Sequence, residues 1–189
     1  MQQTVTYGQY LMKFCSVCGA EVTLLIPEGD QRPRHVCTAC GCIHYQNPKL
    51  VVGSLPVYED RVLLCRRAIE PRLGFWTLPS GFMEIGESTL EAAIRETLEE
   101  ACARIEIEDL YTLMNVPQIS QVHLIYRARL MDLDFAPGEE SLETRLFTEA
   151  EIPWSDLAFR TNTLTLRHYF ADRKAGKFIY HEETLHSQA

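Results

Sequence analysis

Between Gly81 and Ala103 the chain reads Gly-Phe-Met-Glu-Ile-Gly-Glu-Ser-Thr-Leu-Glu-Ala-Ala-Ile-Arg-Glu-Thr-Leu-Glu-Glu-Ala-Cys-Ala. No other stretch restricts the fold as much. On a helix, at ~100° per residue, Glu96, Glu99 and Glu100 share one face. Ala92 and Ala93 precede them there and leave the carboxylates uncrowded. Leu90, Ile94, Thr97, Leu98 and Ala101 form the opposite stripe, which is the expected buried side. Ser88, with Glu91 three residues later, fits a capping box and marks the helix start. Three carboxylates so spaced repel one another, by about a few tenths of a kcal/mol per pair. They either point at water or hold cations, and ligands made only of oxygen suit Mg²⁺ or Mn²⁺.

Six positions, Gly81, Glu87, Arg95, Glu96, Glu99 and Glu100, carry the pattern. At roughly 6–7% per residue type they coincide by chance about once in ten million windows. Gly, five residues, Glu, seven residues, Arg-Glu, two residues, Glu-Glu resembles the signature of Nudix hydrolases. The resemblance implies an α/β fold, an α/β/α sandwich with a mixed sheet in which the signature forms a loop, a helix and a loop. It implies hydrolysis of a nucleoside diphosphate linked to another group, with Glu96, Glu99 and Glu100 as Mg²⁺ ligands. Arg95 would orient a carboxylate, either Glu87 or its i−4 neighbour Glu91. Gly81 would supply the backbone turn before the helix and border the substrate. Cys102 stands where the family usually has glycine. A left-handed helix end costs a non-glycine residue about 1–2 kcal/mol, so a different exit is expected.

Cys15-Ser-Val-Cys18-Gly and Cys37-Thr-Ala-Cys40-Gly are two C-x2-C pairs separated by 18 residues. This spacing is a zinc pattern, and four thiolates make a closed structural site. Disulfides or a redox pair are the alternatives. No charged start followed by an apolar run marks a secretory signal, which argues against disulfides. Cys42, His35 and His44 are nearby spares. A module this small needs its metal to fold. The expected organisation is an arm (1–13), a zinc ribbon (14–47), the catalytic domain (48–181) and a loose tail (182–189).

Leu50 to Tyr58 and Arg61 to Cys65 read as a hairpin across Glu59-Asp60. Arg66, Arg67 and Arg72 flank the loop leading to Trp76. Cations and an aromatic there suit a diphosphate and a flat base, so Arg67 and Trp76 are candidate substrate contacts. Ile105 to Val116 and Gln121 to Met131 alternate as strands. The Ala136–Ser141 loop is a candidate lid. By resemblance, Glu143 after it binds metal or positions the attacking water, with Glu139 and Glu140 behind it. Thr161 to Ala175 reads as a helix stopped by Gly176, and Lys177 to His181 as a last strand. Cys65 and Cys102 read as inert core thiols.

From Phe14 to Lys177 the chain resembles the zinc-ribbon branch of Nudix hydrolases. Its plant members act on FAD, giving FMN and AMP, and on ADP-ribose, giving AMP and ribose 5-phosphate. NADH is another dinucleotide such an enzyme cleaves, and a homodimer is the family-level expectation. With 26 acids against 18 bases and net charge −8, the surface disfavours a nucleic-acid backbone. The rivals are an RNA-directed protein that binds through its ribbon and a non-catalytic nucleotide sensor. No segment reaches membrane-span length, and a cytoplasmic location is expected.

Overall fold

The computed structural model describes residues 12–186. Most of the expected arm and the end of the expected tail fall outside that range. The described part forms two compact units, joined at Pro48–Lys49.

The first unit is a three-stranded antiparallel ribbon of β1 (Val22–Leu25), β2 (Arg34–Cys37) and β3 (Ile43–His44). Its knuckles close where Gly19 and Gly41, both at positive φ, donate N–H groups to the carbonyls of Cys15 and Cys37.

The second unit is a mixed sheet with a helix on each face. Its elements, in chain order, are β4 (Lys49–Tyr58), β5 (Arg61–Arg67), β6 (Trp76–Thr77), β7 (Ser80–Phe82), α1 (Thr89–Ala101), β8 (Ile105–Val116), β9 (Gln121–Leu130), β10 (Ser141–Phe147), α2 (Arg160–Ala175) and β11 (His181–Thr184). The strand order is β10-β5-β4-β9-β8-β11, with β6 paired to β5 and β7 to β4. β4 runs parallel to β9, and β8 parallel to β11.

Strand alternation puts the helices on opposite faces. In β5, Val62 and Leu64 pack in the cluster with Leu166, Tyr169 and Phe170 of α2. Leu63 and Cys65 point the other way and join Ala101 of α1. This is the expected sandwich.

Two expectations at the C-terminus fail. Residues 177–180 do not form the last strand, because α2's Asp172 holds them: its carbonyl accepts from Lys177 N–H and its carboxylate from Ile179 N–H. The strand begins at His181 and pairs with Thr112–Asn115. Residues 182–184, expected to be loose, therefore lie in the sheet, and Leu185 after them is buried.

Candidate active site

Helix α1 starts as its sequence dictates. Ser88 is the N-cap and forms the full capping box with Glu91. The helix is pinned to the sheet by a buried bond in which Ser54 Oγ donates to Thr97 Oγ1 at 2.6 Å.

The expected buried stripe holds only at Thr97 and Ala101. Leu90, Ile94 and Leu98 are 45%, 44% and 53% exposed, whereas Ala92, Ala93, Glu96, Thr97, Glu100 and Ala101 are buried. The reason is distance. Alanines let the helix axis sit close to the strands, which a leucine face would prevent. Glu96 lies so near β7 that a Cβ on Gly81 would come within 2.4 Å of its carboxylate. Gly81 is thus not the turn residue expected. It lies in β7, paired with Val52, and its missing side chain is the space the carboxylate uses.

Burying carboxylates is costly unless something compensates for the lost water. Burial pushes Glu100 up to about 8, against the opposing pull of Ser80 N–H and the charge of Arg67. Burial also raises Glu96, against Arg95. A fold that buries two acids on one helix face carries a cost that a bound cation would offset.

Arg95 is the hub. Its Nε and Nη2 grip both oxygens of Glu87, at 2.9 and 2.6 Å. Its Nη1 reaches Glu96 at 2.7 Å and Glu99 at 3.0 Å, and Nη2 also donates to Phe82 O. The guanidinium holds Glu87 down at about 2. Of the two partners expected for Arg95, the structure selects Glu87; Glu91 is engaged by Ser88. Arg95 thereby places positive charge between Glu96 and Glu99. Among the described residues, groups of ligating atoms within 4.8 Å of one another come from the ribbon's cysteines and His44 rather than from these glutamates.

The far end of the helix also differs from expectation. Cys102 does adopt the left-handed conformation, φ 47° and ψ 27°, and its N–H bonds to Leu98 O. It is exposed, not a core thiol; Cys65 is buried as expected. Cys102→Gly relieves about 1–2 kcal/mol of strain and gives back up to about 1 kcal/mol through the freer unfolded chain. The expected net is a Tm gain of roughly 1–3 °C by calorimetry.

The Ala136–Ser141 loop, expected as a lid, is tied to the helix end. Ala136 N–H donates to Ala101 O and Gly138 N–H to Glu100 O, each at 3.0 Å. These bonds satisfy carbonyls that a helix end leaves unpaired. The loop places Glu140 where its charge raises both Glu96 and Glu100. Glu143, the preferred acid from sequence, is exposed in β10 and pairs with Arg66 at 3.8 Å. Glu139 and Glu140 are exposed as well.

Arg67 lies within the field of Glu100. Its Nε donates to Pro71 O at 2.8 Å and its guanidinium lies 5.3 Å from the centre of the Phe159 ring. Arg66 donates to Gly74 O, and Arg72 stacks on Phe75. Trp76, expected as a base contact, packs edge-on against Phe147 at 4.8 Å and belongs to the core periphery. Phe159 is the partly exposed ring next to Arg67. The sequence flagged neither Phe159 nor Ser80: nothing marks a lone aromatic before a helix or a single backbone N–H.

In the ribbon, Cys15, Cys18, Cys37 and Cys40 bring their sulfurs together. Two pairs stand 3.5 and 3.7 Å apart. A tetrahedron with metal–sulfur bonds of about 2.3 Å has edges of about 3.8 Å, so the cluster fits a four-thiolate site. Against its burial, the N–H groups of Cys18 and Val17 bring Cys15 down to about 6, towards the thiolate a metal needs.

The model of the family described as NUDIX domain matches residues 47–169, and that described as Nudix N-terminal matches residues 13–46. A NUDIX hydrolase from Nitrosomonas europaea is 56% identical, with a TM-score of 0.89 over 92% of this chain and 99% of that one. The ADP-ribose pyrophosphatase of Methanocaldococcus jannaschii is 26% identical over 58% of this chain and 67% of its own. The NAD-capped RNA hydrolase NudC of Chromobacterium violaceum is 33% identical over 69% of this chain and 48% of its own. The chain spans 45% to 53% of the length of the NudC relatives it matches.

Proposed function

The chain belongs to the Nudix family of pyrophosphohydrolases, and from that premise we propose that it cleaves the diphosphate of a nucleoside diphosphate joined to a second group. ADP-ribose is the first substrate to test, with FAD and NADH beside it. The observation that carries this reading is the burial of Glu96 against a side-chain-free Gly81 and of Glu100 beside the Ser80 N–H, with Arg67 in the field of Glu100. Acids held there at a cost, near a guanidinium that lies over an aromatic ring and donates to Pro71 O, suit a substrate that brings both negative charge and a flat group.

Glu96, Glu99 and Glu100 would hold a divalent cation, Mg²⁺ or Mn²⁺ by their all-oxygen chemistry. When bound there, such a cation would supply charge neutralisation of the diphosphate, polarisation of a phosphorus and a lowered pKa for a water. Arg95, gripped by Glu87, keeps Glu96 and Glu99 turned to the same side. Arg67 binds a phosphate oxygen. A carboxylate accepts the proton of the attacking water as its oxygen joins one phosphorus and the other monophosphate leaves. Glu140 takes that role in our reading, because its loop is bonded to the helix end at Glu100 O and Ala101 O, whereas Glu143 faces Arg66. Glu140→Gln is expected to lower kcat by about 10²-fold or more, and Glu143→Gln by less than tenfold. Steady-state kinetics at saturating Mg²⁺ checks both, and the reverse order reassigns the base.

NAD-capped RNA is a second candidate substrate, favoured by the names of the NudC relatives; the acidic balance of the chain weighs against a long RNA contact. The four ribbon cysteines hold zinc in this reading, and the catalytic chain works as a homodimer, which light scattering tests. No helix among the described residues is long and apolar enough to cross a membrane.

The deciding experiment is a panel of ADP-ribose, FAD, NADH and NAD-capped RNA with Mg²⁺, products separated by chromatography. Release of AMP with ribose 5-phosphate, FMN or reduced nicotinamide mononucleotide, or of nicotinamide mononucleotide and a 5′-monophosphate RNA from the capped RNA, supports the reading. Absence of any diphosphate cleavage across the panel overturns it.

A further inference from the structure

The ribbon offers more donors than one tetrahedral ion uses. Besides the four-cysteine group, the ligating atoms of Cys15, Cys42 and His44 lie within 4.8 Å of one another. The two groups share Cys15, whose buried sulfur is 3.3 Å from His44 Nε2. Cys42 and His44 flank Ile43 at the start of β3, and an extended chain turns residues two apart to the same side. Both are partly exposed, whereas Cys15 is buried.

We propose that the ribbon carries a second metal position, formed by Cys42 and His44 with the Cys15 thiolate as a bridge, for a thiophilic cation such as Zn²⁺ or Cd²⁺. Thiolate and imidazole are the ligands such ions select. A divalent ion among four thiolates leaves the centre net negative. A second cation sharing one sulfur offsets part of that charge. The partial exposure of Cys42 and His44 leaves a coordination place for water. The simpler role for His44 is to donate its N–H to the Cys15 sulfur and orient it, which gives one ion per ribbon. The proposal does not depend on the pyrophosphatase reading.

Cadmium separates the two. The reduced full-length protein, with excess Mg²⁺ to occupy the carboxylates, is titrated with Cd²⁺ while the ultraviolet thiolate-to-cadmium band is followed. Wild type is expected to saturate at two equivalents. Cys42→Ser and His44→Ala are each expected to lose the second step and keep the first, which also reports that the ribbon folds. His44→Cys is expected to keep both. Saturation of wild type at one equivalent overturns the proposal, as do two steps surviving in both loss variants.

Discussion

Glu100→Gln is expected to lower turnover about a thousandfold at saturating Mg²⁺ and to leave the fold intact. The variant removes a charged ligand worth several kcal/mol in the transition state, and about 4 kcal/mol corresponds to that factor. Stability moves the other way. In the folded, metal-free protein Glu100 stands at about 8, above its ordinary 4.5. Its contribution is therefore complete below pH 4.5 and is lost as pH rises through 8. Glutamine cannot ionise and escapes that loss. In a chelator above pH 8, the variant is expected to be the more stable protein, by an amount on the order of a few kcal/mol. Thermal melts with EDTA from pH 5 to about 9, beside kinetics with Mg²⁺, check both halves. A variant that loses activity and stability together at high pH would show that Glu100 is a structural residue.

The second large effect is expected at Gly138. A Cβ there would lie 1.7 Å from the carbonyl oxygen of Glu99, which belongs to the helix backbone and cannot swing aside. Either the loop or the last turn of α1 must shift. Gly138→Ala is expected to cost about 3 kcal/mol or more by denaturant unfolding, at the severe end of overpacking. Activity should fall too, because Glu140 moves with the loop. Gly81→Ala makes a useful contrast. Its clash is with the tip of the flexible Glu96 side chain, so activity should suffer more than stability.

Much of this was legible in the chain because the informative features are local. The capping box at Ser88 and Glu91 depends on four consecutive residues, and the α1 start follows from it. Alternation fixes β8 and β9, and the paired cysteines fix the ribbon. What escaped depends on how elements meet. Hydrophobicity assigns Leu90, Ile94 and Leu98 to the core, but the sheet admits only the small-residue face carrying the glutamates. That misassignment falls at the functional surface, where local rules are expected to yield to chemistry. Glu140 and Glu143 cannot be ranked from spacing, because the ranking comes from where the loop bonds to Glu100 and Ala101. Trp76 is misassigned for the same reason: whether its ring is core depends on Phe147, far away in sequence. The left-handed Cys102 shows that a helix can keep its exit at a strain cost when a loop distant in sequence, Ala136–Ser141, docks there.

The central claim is that the acidic face of α1 holds a divalent cation against a phosphoanhydride. A crystal structure of the protein soaked with Mg²⁺ and a non-hydrolysable ADP-ribose analogue tests it most directly. The account predicts an ion ligated by Glu96, Glu99 or Glu100 and in contact with the analogue's diphosphate. Diphosphate bound elsewhere, with Arg95 still joining Glu96 to Glu99 and no ion beside them, would contradict it.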